Sequence, residues 1–173
     1  ASVRHLYATH DSVTLSDKSP FVYSLGRQRN IDAMEITRIA RGVDQETFNL
    51  EPSISSVINA STPLRYDTVM LHGIQEMSIR NQAICITPFT LAGAMAPVTI
   101  AGAIVLQNAE ALAGVAYTQL VNPGAPVIYG GFTSNVDMQS GAPAFGTPEY
   151  WKACLIGGQL ARRYDLPYRS SNV

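Results

Sequence analysis

Residues 81–109 carry no charged side chain, so any fold must either bury this stretch or give it to a membrane. A spanning helix needs about 20 predominantly apolar residues in one run. Here Pro88 and Pro97 break the run, Thr87, Thr90 and Thr99 interrupt it, and Gln107 and Asn108 end it on polar groups. The stretch therefore reads as a buried strand at 83–87, a Gly/Pro loop, and a buried helix over 98–120. The Ala and Gly content of that helix suits close packing on a sheet. Charged residues make up 14% of the chain and hydrophobic ones 46%, against about 25% charged in an average soluble domain. Such a chain can bury a substantial core, and its net charge of −1 supplies no basic field for nucleic acid or anionic lipid.

Strand and helix signals alternate along the rest of the sequence. A run at 3–9 reads as a first strand, and 10–24 as a loop rich in Asp, Ser, Lys and Pro. A helix follows over 27–41, with Ile31, Met34, Ile36, Ile39 and Ala40 at roughly helical spacing and Gly42 as its C-cap. A second strand is expected at 54–59. Asp67 reads as the N-cap of a helix over 68–79, striped by Val69, Met70, Ile74 and Met77. Asn122-Pro123-Gly124 stops the long helix, and 125–129 reads as a fourth strand. A long loop over 130–146 precedes Thr147-Pro148-Glu149, where Thr caps a helix, Pro takes its first position and Glu meets the positive end of the dipole. That helix runs to about Tyr164, and 168–170 begins a fifth strand.

Strands apolar on both faces and separated by helices imply a parallel sheet. The first strand-to-helix turn lacks a GxGxxG sequence, which argues against a dinucleotide-binding sheet. The expected fold is α/β, a (β/α)8 TIM barrel of which residues 1–173 supply about half, as four to five βα units in one partial catalytic domain. A full barrel takes about 250 residues. The sequence has no initiator Met and ends without a closing helix, so a fragment of a longer chain is expected. A half-barrel leaves sheet edges open, so a homo-oligomer or a larger assembly is expected as well.

In a βα barrel the chemistry sits at the C-terminal ends of the strands. On this reading those ends are Thr9-His10-Asp11, Asn59-Ala60-Ser61-Thr62, Thr87-Pro88-Phe89-Thr90, Tyr129-Gly130-Gly131-Phe132-Thr133 and Arg169-Ser170-Ser171-Asn172. Each is polar, or polar with an aromatic. Phe89, Tyr129 and Phe132 would line one mouth, and aromatic faces attract quaternary ammonium groups. The 130–146 loop allows close backbone paths at its glycines, and its one charge, Asp137, either adds a negative group or orients the loop. HExxH, P-loop and GxSxG sequences are missing. His5, His10 and His72 do not have the spacing of a zinc site, so no metal is expected. Cys85 and Cys154 lie in apolar runs and read as reduced, buried thiols. Lys18 and Lys152, the only lysines, fall in a loop and a helix, which argues against a barrel lyase or aldolase. A non-catalytic scaffold is the other alternative.

Several strings resemble the trimethylamine methyltransferase family. They are Ser61-Thr62-Pro63-Leu64-Arg65-Tyr66-Asp67, the run from Thr87 through Thr99, Gln119 through Val127, Tyr129 through Gly146, Thr147-Pro148-Glu149-Tyr150, and Leu166 through Ser171. The resemblance implies a longer (β/α)8 enzyme that moves a methyl group from a methylamine or a quaternary amine, such as glycine betaine, to the cobalt of a separate corrinoid protein. Some family members carry pyrrolysine; this sequence shows no unusual residue. Because cobalt(I) is the nucleophile, such an enzyme needs no activated Ser or Cys; it needs to hold and aim the substrate. The resemblance then casts Phe89, Tyr129 and Phe132 as holding the ammonium, and Arg169 or Arg65 as pairing with a betaine carboxylate. Gly130, Gly131, Thr133 and Ser170 are the candidates for contact with the corrinoid. The expected partners are an amine or betaine and a corrinoid protein, with neither nucleic acid nor membrane, in the cytoplasm.

Overall fold

The computed structural model describes residues 3–171. It is a mixed α/β chain that forms two compact units. The first comprises residues up to Ile58, Thr68–Cys85 and Tyr117–Pro126; the second comprises Asn59–Asp67, Ile86–Ala116 and the chain from Val127 onward.

In the first unit, the 3–9 run is not a strand. It lies in helix α1 (Arg4–Leu15), where Thr9 and Thr14 donate their hydroxyls to the carbonyls of His5 and His10, one turn back. His5 is held by Asp32 at 2.7 Å, a partner from another helix that local sequence does not reveal. The first strand comes later, as β1 (Phe21–Tyr23), inside the expected loop. Helix α2 (Arg27–Arg41) matches its predicted bounds, and Gly42 closes it at φ 66° with its N–H on the Arg38 and Ile39 carbonyls. A short helix α3 (Gln45–Leu50) was not expected; Asp44 caps it through the Thr47 N–H.

Strand β2 (Ser55–Ile58) runs parallel to β1, with Phe21 opposite Ser55 and Tyr23 opposite Val57. Helix α4 (Thr68–Ile79) and strand β3 (Ala83–Ile86) follow, and β3 lies beside β2. Ile54, Val57, Ile58, Ile74, Met77 and Ile84 form the unit's core. Gln82 is buried among them and uses both ends of its amide. Its Oε1 accepts from the Ser53 and Ile54 N–H groups, and its Nε2 donates to the Phe48 and Arg80 carbonyls. One side chain thus ties the entry of β2 to the ends of α3 and α4.

The second unit holds strand β4 (Phe89–Ala92), most of helix α5 (Ile100–Val121), β5 (Val127–Gly130), β6 (Phe132–Val136), β7 (Pro143–Ala144), helix α6 (Pro148–Arg163) and β8 (Tyr168–Arg169). Strand β5 pairs in parallel with β8, Tyr129 opposite Tyr168. Strand β4 pairs in parallel with β6, Phe89 opposite Phe132, and β7 closes antiparallel on β6. The expected 130–146 loop is therefore mostly a hairpin, and part of the expected Gly/Pro loop is strand β4. Their Thr, Ser and Asn residues hide the strands from a hydropathy reading, and only their mutual pairing makes them strands. Helix α6 begins as predicted: the Thr147 side chain accepts from the Tyr150 N–H, with Pro148 and Glu149 behind it.

Two tests of the first unit follow. A Cβ on Gly73 would collide with Ser24 Oγ and come within 3.0 Å of Ile58. Gly73→Ala is expected to lower the urea midpoint, because overpacking worth about 1–3 kcal/mol outweighs the roughly 1 kcal/mol that alanine gains in a helix. The Asp44 carboxyl is held below its ordinary 3.8, first by the Thr47 backbone N–H and then by the Thr47 hydroxyl. A depressed carboxyl stabilises the fold above its unfolded value and loses that contribution as pH falls through its folded one. The stability gap between wild type and Asp44→Ala should therefore be full at neutral pH and shrink in acid below that point, as read by denaturation across pH.

Candidate functional site

The second unit is organised from the buried face of α5. This helix is long and apolar enough to cross a membrane by length and composition. Its polar residues in this unit, Gln107, Asn108 and Glu110, nonetheless hydrogen-bond neighbours within it. Glu110 is 2% exposed. Its carboxylate accepts from the Thr62 hydroxyl at 2.8 Å and from the Leu64 N–H at 2.7 Å, and its carbonyl accepts from the Tyr66 hydroxyl at 2.8 Å. Leu64 sits at φ 55°, a left-handed conformation that a leucine seldom adopts, and the bond to Glu110 holds it there. Burial, and then the Glu110 charge, push the Tyr66 phenol well above its ordinary pKa.

Two residues earlier, Asn108 accepts from the Tyr129 hydroxyl and donates to that of Tyr164, both at 2.9 Å. Gln107 Oε1 accepts from the Thr133 hydroxyl at 2.5 Å. Burial raises the Tyr129 phenol to about 12, with the Gln107 amide pulling the other way. Gln107 Nε2 nevertheless meets no acceptor in hydrogen-bond geometry among the described residues, and neither does the buried Thr90 hydroxyl.

The strand-end residues singled out from sequence divide into two groups. Gly130, Gly131, Thr133 and Tyr129 are buried. A Cβ on Gly130 would collide with Thr87 Oγ1 and lie 2.7 Å from the Ile86 carbonyl; one on Gly131 would collide with the Gln107 amide. Tyr129 is fully covered, so its ring backs the unit and does not open onto a surface. Ser170 donates to Cys154 Sγ at 3.1 Å. Asp137 is exposed and serves its own turn: it accepts from the Ser140 hydroxyl at 2.5 Å and the Gln139 N–H at 3.1 Å. These bonds, the Ser140 hydroxyl first, keep its carboxyl below the usual range.

Phe89, Phe132 and Arg169 form the other group. Phe89 and Phe132 stack at 5.0 Å with their planes 23° apart. Phe145, from β6–β7 and its exit, meets Phe132 edge-on at 5.1 Å, and Tyr150 lies 6.1 Å from Phe132 and 6.3 Å from Phe145. Trp151 extends the cluster from Tyr150 at 5.9 Å. Tyr150 is buried and donates to the Ser171 carbonyl at 2.7 Å. Phe145 and Trp151 are 43% and 51% exposed, so the cluster opens outward through them. Burial raises the Tyr150 phenol above its ordinary pKa, opposed first by the Ser171 hydrogen bond and, more weakly, by the Arg169 charge. Arg169 is exposed, and no carboxylate pairs with it among the described residues. Arg65 is exposed too, on the loop anchored by Glu110.

Sequence reading missed Phe145, Tyr150 and Trp151 as members of the cluster, and Gln107, Asn108 and Glu110 as its supports. The signal available was three polar residues within four positions of an otherwise Ala-, Gly-, Leu- and Val-rich helix. Among the described residues no group of three or more His, Cys, Asp or Glu side chains is placed to hold a metal. Neither Cys85, which is buried, nor Cys154, which is half-buried, forms a disulfide.

These features define an α/β protein with a partly exposed aromatic cluster and, on β8, a guanidinium that no carboxylate pairs among the described residues. The chain belongs to the trimethylamine methyltransferase family, whose model, described as trimethylamine methyltransferase (MTTB), matches residues 1–173. It is 39% identical over 168 residues to a glycine betaine methyltransferase of Desulfitobacterium hafniense, covering 97% of this chain and 35% of that protein. It is 35% identical over 111 residues to a proline betaine:corrinoid methyltransferase of Eubacterium limosum, covering 64% and 23%. A trimethylamine methyltransferase of Methanosarcina mazei is 30% identical over 133 residues, covering 77% and 27%. The chain thus spans about a third or less of the length of these relatives.

Glu110 offers the direct test of how the site is held. Glu110→Ala leaves the Thr62 hydroxyl and Leu64 N–H without acceptors, at about 1–3 kcal/mol each, and should lower stability by about 2–4 kcal/mol in chemical denaturation. Glu110→Gln keeps one acceptor and should lose less. An alanine variant as stable as wild type would mean that the carboxylate does not hold the loop.

Proposed function

We propose that the chain is about half of a (β/α)8 barrel in a corrinoid-dependent methyltransferase whose methyl donor is a quaternary amine of the glycine betaine type. Parallel pairing in both units, with helices between the strands, supports the fold. The observation that carries the function is a partly exposed aromatic cluster whose Tyr150 hydrogen-bonds two residues beyond Arg169, a guanidinium that no carboxylate pairs among the described residues, in a chain similar along 97% of its length to a glycine betaine methyltransferase.

A trimethylammonium group is a weakly hydrated cation. Aromatic faces hold it at about 0.5–2 kcal/mol each. Phe145 and Trp151 offer exposed rings, and the Phe89–Phe132 stack stands behind Phe145. A betaine also carries a carboxylate, which suits the Arg169 guanidinium through charge-assisted hydrogen bonds; Arg65 is the second candidate. With both ends held, one methyl can be aimed at cobalt(I) of a separate corrinoid protein. The methyl–nitrogen bond breaks, nitrogen keeps the electron pair and leaves as a neutral tertiary amine, and the methyl carbon bonds to cobalt. No general base or activated side chain is required; the work is positioning and removal of water. Of the four residues considered for corrinoid contact, Gly130, Gly131 and Thr133 are buried and act by packing, which leaves Ser170 for the side that meets the corrinoid protein. A soluble, cytoplasmic homo-oligomer acting with the corrinoid protein completes the proposal.

The test uses the full-length protein and follows methyl transfer to a reduced corrinoid by visible absorbance, with trimethylamine, glycine betaine, proline betaine and carnitine as donors. Turnover of a betaine is expected. Arg169→Met should weaken glycine betaine about tenfold or more, since a hydrogen bond to a charged group is worth about 1.5–3 kcal/mol. It should leave inhibition by tetramethylammonium, which has no carboxylate, unchanged. Phe145→Ala should weaken both. Loss of neither interaction in the two variants, or no turnover with any donor, would overturn the proposal.

A further inference from the structure

We infer that Gln107, acting through Thr133 and Gly131, is a positioning residue that sets Phe132 and Arg169 in register with one another. This inference rests on the reading of the aromatic cluster as the amine site. A buried glutamine in an apolar helix is costly unless its amide is engaged, and a leucine would fill the space without that cost. Gln107 is 1% exposed; its Nε2 meets no acceptor among the described residues, so what holds its amide is the Oε1 bond at a single point of the fold.

That point is where β5 hands over to β6. The Gly131 N–H donates to the Arg169 carbonyl at 3.3 Å, and the next N–H, that of Phe132, donates to the Pro88 carbonyl at 3.0 Å. The backbone thus changes partner between two consecutive residues. The Gln107 carboxamide lies against the first of them: a Cβ on Gly131 would sit 2.6 Å from its Cδ and 2.7 Å from its Oε1. The same Oε1 accepts from Thr133, the residue after Phe132. Gln107 therefore packs against the chain before Phe132, its Nε2 nearest to the place of a Gly131 Cβ, and hydrogen-bonds it after Phe132. Side chains alternate along a strand, so with Thr133 turned to Gln107, Phe132 turns away from it, toward Phe89, Phe145 and Tyr150. Through the Gly131 N–H the same packing reaches the backbone of Arg169. One amide on α5 sets both the aromatic wall and the guanidinium without touching substrate.

The experiment uses the full-length enzyme and compares Thr133→Val, which keeps the shape and loses the hydroxyl, with Thr133→Ser, which keeps the hydroxyl; Gln107→Leu is the reciprocal variant. Thr133→Val and Gln107→Leu are expected to raise KM for glycine betaine about fivefold or more, as loss of one hydrogen bond implies. The kcat should change less than about twofold, and Thr133→Ser should restore the wild-type KM. Hydrogen exchange across Gly131–Thr133 should quicken in the valine variant and not in the serine one. If Val and Ser shift KM together, or if Val lowers the melting temperature with KM and exchange unchanged, the residue is structural only and the inference fails. Wild-type enzyme that neither binds nor turns over any quaternary amine would sink the functional reading instead. Exchange would then still decide whether Gln107 holds the junction.

Discussion

The second unit depends on a carboxylate with little solvent and, among the described residues, no cationic partner in hydrogen-bond reach. Glu110 replaces water with the Thr62 hydroxyl and the Leu64 N–H, and its own carbonyl takes the Tyr66 hydroxyl. A buried charge left unsatisfied is severely penalised, so the loop over 61–66 is specified by the helix as much as by its own sequence. Gln107 and Asn108 extend the same logic to β6 and to Tyr129. Helix α5 is thus an apolar rod with a polar seam at Gln107 and Glu110 and with Asn108 on another face, and these residues decide where the unit's loops and strand ends come to rest.

Glycines complement that seam by subtraction. Gly130 and Gly131 have ordinary backbone angles; what excludes a side chain is the crowding by Thr87, Ile86 and Gln107. Gly114 does the same for Ile86 and Tyr66, and Gly157 for Tyr168. Sequence inspection took the glycines of 130–146 as freedom near a ligand. For the first two the structure gives the opposite meaning: close packing.

Much of the fold was legible where signals are local. Helices α2 and α6 announce themselves through Gly42 and Thr147-Pro148-Glu149, and β3 through its Ile-Cys-Ile run. Helix α1 was misread because its identity rests on distant support, such as the His5–Asp32 pair. Strands β4, β6 and β7 escape a sequence reading because each is short, β6 is polar, β7 is only Pro-Ala, and they pair with one another. In the site, Phe89, Phe132 and Arg169 were visible as strand-end residues. Phe145, Tyr150 and Trp151 join them from the hairpin exit and α6, and no spacing rule connects residues that meet only by packing.

The hairpin that carries Phe145 is short. Its ladder consists of Asn135 opposite Ala144 and Val136 opposite Pro143, with the Ser134 hydroxyl adding one tie to the Ala144 carbonyl and Asp137 closing the turn. Phe132 belongs to the sheet, whereas Phe145 hangs at the end of this small lever. Residues added to or removed from the turn would move the outer ring and leave the inner one where it is. The width of the opening is therefore a separately adjustable quantity, and a lineage could refit it to bulkier or slimmer cations without redesigning the sheet beneath.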